Sequence, residues 1–224
     1  MSTTLTDALE MSLPILLITM ALICLFDRHL FRACLAFSGF ASLMTAAWWL
    51  LGTTWLAWVE LILGVVLTSL ALFHALGVFP TGSRLLPRRD SILYSRRNAL
   101  SRLMMGLVWL GLLFWVLYEL APALFTSLNS APLIKTGVFI MTSALVGFSL
   151  HAHLLRRLLA FNVLGSGVFI LLAGLSDDQT GVQALISVGL LVAWLGTLVG
   201  ALLIRRLYAI SGDDALIDND AGTQ

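Results

Sequence analysis

Long runs of apolar residues, separated by short polar segments, account for most of the chain. A helix needs about 20 mostly apolar residues to cross the hydrocarbon core of a bilayer. Runs close to that length occur at residues 11–27, 33–51, 55–79, 103–124, 135–154, 158–175 and 183–204. The pattern therefore predicts an all-α integral membrane protein with about seven transmembrane helices.

The polar segments divide these predicted helices into groups. Residues 1–80 hold the first three spans and residues 135–210 the last three. Between them, residues 81–134 combine a loop rich in arginine with the fourth span. Residues 211–224 contain four aspartates and are predicted to form a solvated acidic tail.

The composition supports a membrane location and excludes several classes of protein. Of the 224 residues, 59% are hydrophobic and 11% are charged, whereas a soluble domain is roughly one quarter charged. A soluble enzyme and a disordered chain are both excluded. A net charge of +1 argues against a nucleic-acid partner, because a protein that binds nucleic acid needs a cluster of excess basic residues. Two cysteines, Cys24 and Cys34, provide neither a disulfide framework nor the spacing of a metal site.

The basic residues predict an orientation, because short cytoplasmic loops are rich in Lys and Arg. With seven spans, twelve of the thirteen basic residues fall on one side of the membrane, and Lys135 falls on the other. The N-terminus is therefore predicted outside and the C-terminus in the cytoplasm. The twelve are Arg28, Arg32, Arg84, Arg88, Arg89, Arg96, Arg97, Arg102, Arg156, Arg157, Arg205 and Arg206.

Glu60 is the only acidic residue well inside a predicted span. An ionised carboxylate at that depth costs on the order of 2–3 kcal/mol or more, and such groups normally face a bundle interior or a water-filled path. Two interpretations stay open. Glu60 either exchanges protons along an ion path, or is a neutral, hydrogen-bonded residue that orders helix packing.

Other polar and small residues within the spans are weaker candidates. His74 lies fourteen residues after Glu60, within about 40° of the same face of an ideal α-helix. It either continues a proton path or extends towards the inner surface. Asn162 is either a relay group or a packing residue, and Gly165 and Gly167 beside it permit close helix approach. No metal site is predicted, and no nucleotide-binding or hydrolase motif is present, so the chain is expected to need no cofactor and to catalyse no covalent chemistry.

The third span carries a resemblance to a known family. It reads GTTWLAWVELILGVVLTSLALF, with Gly52 eight residues before Glu60, Gly64 four residues after it, and then Leu67-Thr68. In these positions, residues 11–79 resemble the three-helix D subunit of membrane-bound hydrogenases. The same module occurs in the C-terminal region of the large A subunit of Mrp-type sodium/proton antiporters. The family usually has Pro-Asp where this chain has Thr54-Trp55.

A second resemblance covers residues 135–210. The segment HLLRRLLAFNVLGSGVFILL, an acidic outer turn and a last helix ending in IRRLY are similar to the small C subunit of Mrp antiporters. That subunit is related to the smallest core membrane subunit of complex I. Asn162 stands where the complex I subunit has a membrane-embedded Glu, and the last span has no acidic residue.

Together the resemblances imply a fused accessory subunit of a cation/proton-translocating complex in a bacterial cytoplasmic membrane. Large antiporter-like subunits and other small subunits of that complex are the implied partners, with Glu60, His74 and Asn162 as ion-path candidates. Gly64, Gly165 and Gly167 are expected to support helix packing. Two alternatives are a purely structural scaffold in a proton-coupled redox or inorganic-carbon-uptake complex, and a self-contained seven-helix transporter or receptor.

Overall fold

The computed structural model describes the chain in several segments. These are residues 2–78, 100–101, 104–108, 111–112, 115, 132–151, 153–175 and 179–211. Most of the predicted fourth span, the arginine-rich loop before it and nearly all of the acidic tail lie outside them. Within the described residues 93% are helical and none is in a strand.

Six long helices are described. They are α1 (Ser2–Phe26), α2 (Leu30–Leu50), α3 (Thr54–Ala75), α4 (Pro132–Leu150), α5 (Leu154–Leu175) and α6 (Gln179–Ser211). Four of them, namely α2, α3, α5 and the Gly181–Ile210 part of α6, are long and apolar enough to cross a membrane. Shorter apolar stretches, Ser12–Phe26 and Ile134–Leu150, lie in α1 and α4. The prediction of an all-helical fold is confirmed for the described residues, and their long apolar helices suggest a membrane protein. The count of seven spans and the orientation stay predictions.

The sequence located the centre of each of these helices more accurately than its ends. The last helix runs from Gln179 to Ser211, although the apolar pattern predicted only 183–204. Gln179 and the pair Arg205 and Arg206 therefore lie in the helix and not in flanking loops. The reason is that backbone hydrogen bonds continue into polar sequence, where hydropathy no longer marks the helix.

The described helices share one large hydrophobic core, and a smaller apolar cluster of Ile134, Met141 and Leu171 lies between α4 and α5. Neighbouring helices pack in the closed order α1, α2, α3, α6, α5, α4 and back to α1, and α5 also touches α1 and α2. Two glycines with positive φ shape the ends of α3. Gly52 (φ 74°) forms the turn before it and Gly77 (φ 75°) follows it, a conformation that residues with a Cβ rarely adopt.

The crossing of α4 and α5 depends on two glycines. A Cβ on Gly167 would lie 3.0 Å from the backbone nitrogen of Met141 and 3.1 Å from the carbonyl oxygen of Gly137. A Cβ on Gly137 would in turn lie 3.2 Å from the carbonyl oxygen of Gly167. The two backbones are therefore in direct contact, as is common where membrane helices pack through small residues.

We expect Gly167→Ala to destabilise the protein and Gly165→Ala not to. Gly167→Ala should lower the free energy of unfolding by roughly 1–3 kcal/mol, because the opposing backbone cannot move aside cheaply. At Gly165 the nearest atom to a new Cβ is Phe169 Cε2, at 4.0 Å. Alanine there should be neutral or stabilise the helix by up to roughly 1 kcal/mol. Thermal unfolding in detergent measures both, and equal shifts would contradict the prediction.

Candidate functional site

Helix α3 changes its hydrogen-bonding pattern immediately after Glu60. Residues Thr54–Glu60 are α-helical, Leu61–Thr68 are π-helical, and Ser69–Ala75 are α-helical again. The Thr68 hydroxyl donates a 2.6 Å hydrogen bond to the carbonyl of Leu63, five residues earlier. π-Helical turns are rare and occur frequently at functional sites. Glu60 is the last residue before this stretch.

The Glu60 side chain lies against its own helix. It is only 2% exposed. The three atoms nearest to a Cβ built on Gly64 all belong to Glu60, with Oε1 the closest and Cδ at 2.9 Å. The carboxyl group therefore occupies the space that a side chain at position 64 would need. The glycine at position 64 thus leaves room for the Glu60 side chain. The atoms nearest to that Cβ come from Glu60 and not from a neighbouring helix.

A tryptophan of α2 is the polar neighbour of this carboxyl group. The Trp48 indole is fully buried and lies near the Glu60 side chain. Neither Trp48 Nε1 nor Glu60 Oε2, however, completes a well-formed hydrogen bond within the described part of the chain. A buried polar atom without a partner costs about 1–3 kcal/mol. Such groups in native proteins call for an explanation, such as a catalytic role or an unseen water or ion.

Two polar contacts hold α3 in place on either side of Glu60. Ser38 of α2 donates to the Ser69 hydroxyl at 2.8 Å. The indole nitrogen of Trp55 donates to Ser187 of α6 at 3.2 Å. Helix α3 is thus attached to both of its neighbours, which keeps the carboxyl group at a defined position between α2 and α3.

His74 is placed beside α6. The Arg205 guanidinium donates a 2.7 Å hydrogen bond to the backbone carbonyl of His74 and lies 3.5 Å from its Nδ1. The sequence predicted that His74 lies within about 40° of Glu60 around the helix axis, on the assumption of an unbroken α-helix. The π-helical stretch Leu61–Thr68 lies between the two residues, so the α-helical angle does not apply. His74 lines a groove between α3 and α6.

Asn162 has a well-defined partner on another helix. Its Nδ2 donates to the Thr197 hydroxyl at 2.7 Å and to the carbonyl of Leu158 at 2.9 Å, and the same hydroxyl lies 2.9 Å from its Oδ1. Thr197 is fully buried on α6 and was not a candidate from the sequence. Ser166, one turn along α5, donates to the Asn162 carbonyl at 3.2 Å. These bonds join α5 to α6 and satisfy the amide, as expected of a packing residue.

A double-mutant cycle with Asn162→Ala and Thr197→Val should reveal this pair. Interhelical hydrogen bonds in membranes average about 0.6 kcal/mol and reach about 1.7 kcal/mol, and we expect a coupling energy in that range. The measurement is the unfolding midpoint of the two single variants and the double variant. Additive effects would mean that the pair does not stabilise the contact of α5 with α6.

Arg156 makes a buried contact between helices that the sequence did not predict. The sequence placed it in a cytoplasmic loop, yet it lies in the first turn of α5 and is only 3% exposed. Its guanidinium donates to the carbonyl of Leu25 at 3.2 Å and to the carbonyl of Asp27, both at the end of α1. The last carbonyls of a helix lack intrahelical donors and attract positive charge. Arg156 thereby joins the first and last groups of helices.

The Asp27 carboxylate completes the same junction. It accepts a 2.9 Å hydrogen bond from the backbone nitrogen of His29 and forms a 3.2 Å ion pair with Arg32. An aspartate that accepts from the backbone N–H two residues later is the Asx-type contact that stabilises a turn, here the turn between α1 and α2. Together, Asp27 and Arg156 connect three helix ends on one side of the bundle.

The described residues offer no metal centre. They contain no group of three or more His, Cys, Asp or Glu side chains placed to hold an ion. Cys24 and Cys34 are both buried free thiols. Of the features above, the environment of Glu60 is the one that combines a buried acid with unsatisfied polar atoms.

Comparison with known proteins identified no relative of this chain. No family model, no curated protein and no solved structure matches this chain.

Proposed function

We propose that this chain is an accessory subunit of a multisubunit complex that moves protons or sodium ions across a bacterial cytoplasmic membrane. The complex would belong to the superfamily of Mrp antiporters, membrane-bound hydrogenases and complex I. The chain would cross the membrane about seven times, with its N-terminus outside and its C-terminus in the cytoplasm. Large antiporter-like subunits would be separate polypeptides packed against it.

The environment of Glu60 is the observation that supports this proposal most. A buried carboxyl group over Gly64, at the start of a π-helical stretch, has one oxygen without a hydrogen-bond partner among the described residues. A group in that condition can accept and release a proton when water reaches it. Glu60 would act as the relay residue of an ion path, and Trp48 would orient its carboxyl group.

A scaffold role is the second candidate, and the other half of the bundle favours it. Asn162 is hydrogen-bonded to Thr197, and the buried Arg156 is bonded to helix-end carbonyls. In both arrangements the polar side chain is hydrogen-bonded within the protein, as expected of a structural role. In the scaffold case the chain would organise a proton-coupled redox or carbon-uptake complex without carrying ions.

Isolation of the tagged chain from its native membrane tests the partnership. The proposal expects stable co-purification of a large antiporter-like subunit, identified by mass spectrometry. A chain that purifies alone and transports ions in vesicles would overturn it in favour of a self-contained transporter. In the assembled complex, Glu60→Gln then separates the relay from the scaffold, since only the relay requires a titratable group at that position.

A further inference from the structure

A groove of about 400 Å³ runs along the contact between α3 and α6. This volume lies within the range of roughly 300–1,000 Å³ that is typical of ligand sites. Its walls are almost entirely apolar. The lining includes Leu67, Leu70 and His74 on α3, and Trp194, Leu198 and Leu202 on α6.

The groove faces outwards and has the length of one membrane leaflet. Leu70 and Leu202 are each 49% exposed, so the groove opens towards the surroundings of the bundle. On α6 its lining runs from Trp194 to Leu202, eight residue steps, which at about 1.5 Å per residue is roughly 12 Å. Half of a hydrocarbon core about 30 Å thick is roughly 15 Å. A fatty acyl chain of one leaflet fits this dimension.

One end of the groove is positively charged. Arg205 contacts His74 at that end and follows Leu202 by about one helical turn. Arg206 beside it is exposed. The opposite end, near Leu67 and Trp194, has no charged residue in its lining. The charge thus lies where the headgroup of a lipid would be if its acyl chain filled the groove.

We propose that this groove binds an anionic phospholipid of the leaflet on its Arg205 side. The acyl chain lies between α3 and α6, and the headgroup phosphate is bound by Arg205 and Arg206. Basic residues between membrane helices recognise anionic headgroups in this way, and each arginine near the surface contributes about 1 kcal/mol. The positive-inside pattern predicts that this side is cytoplasmic. The lipid site goes beyond the ion path and does not depend on it.

The experiment uses the full chain, with any partners that co-purify, in nanodiscs that contain phosphatidylglycerol and phosphatidylcholine in equal amounts. Native mass spectrometry then measures which lipid stays bound. The wild type should retain phosphatidylglycerol in preference. Arg205→Gln and Arg206→Gln, made singly, should each lower that retention by roughly fivefold, at about 1 kcal/mol for each arginine. The matched control for each single arginine variant is Arg28→Gln, which removes one exposed cation from the same predicted side and should leave retention unchanged.

A second pair of variants tests the apolar part of the site. Leu202→Trp should displace the acyl chain and reduce lipid retention. Leu203→Trp is the control, because Leu203 is the same residue type at the same depth and is 55% exposed, but does not line the groove. Equal retention of both lipids, or equal effects of the two tryptophans, would overturn the proposal. So would an experimental map that shows a protein helix, from this chain or a partner, in the groove.

Discussion

Replacement of Glu60 by Gln should lower ion-driven transport by the assembled complex by roughly 100-fold or more. Groups that transfer protons contribute typically 10²–10⁴-fold to a rate, and an amide of the same size cannot take up or release one. Because Gln preserves the volume of the side chain, the complex should still assemble. The measurement is proton or sodium flux in proteoliposomes, normalised to the amount of co-purified complex.

Two companion variants sharpen this test. Gly64→Ala leaves the acid in place but puts a Cβ where the Glu60 carboxyl group now lies, so the carboxyl group must move and transport should fall by a smaller factor. Asn162→Leu removes a polar group that is already bonded to Thr197, so transport should stay near the wild-type rate. Full activity of Glu60→Gln in an intact complex would exclude the relay and leave the scaffold role.

Replacement of Arg156 by Met should lower the free energy of unfolding by about 3 kcal/mol or more. Hydrogen bonds to charged groups contribute about 1.5–3 kcal/mol each. The apolar side chain would leave the carbonyls of Leu25 and Asp27 without the donors that Arg156 supplies. For a chain of this size the unfolding temperature should fall by roughly 6–12 °C. Thermal unfolding followed by tryptophan fluorescence in detergent measures the change.

Arg157→Met is the matched control for this experiment. Arg157 is the next residue, is half-buried, and donates a 2.9 Å hydrogen bond to the carbonyl of His151 across a short turn. Because its guanidinium is partly exposed and water can replace the protein partner, its loss should cost less than about 1.5 kcal/mol. Arg156→Lys should give an intermediate result, because an ammonium group lacks the planar fork that reaches two carbonyls. Equal stability of the two Met variants would mean that Arg156 does not join the helix groups.

The polar side chains of the bundle differ in how far their roles could be predicted from the sequence. Glu60 was recognisable because a carboxyl group in an apolar span is costly wherever the helix lies. Thr197 was not, because a single threonine in an apolar helix is common, and only packing places it opposite Asn162. Arg156 was misplaced for a related reason. A cation next to a turn normally points to water, and only the end of α1 supplies the carbonyls that allow its burial.

The sequence by itself predicted a helical protein with apolar helices long enough to cross a membrane, where most of the described helices lie, and that Glu60 is an acid deep within one of the apolar spans. Those properties follow from hydrophobicity, which is local and adds along the chain. Only the tertiary structure decided the π-helical stretch, the position of the Glu60 carboxyl group over Gly64, the junction at Arg156 and the groove ending at Arg205. Each of these depends either on contacts between residues far apart in the chain or on a local change in backbone hydrogen bonding. Hydropathy describes each residue by itself and contains no information on such contacts.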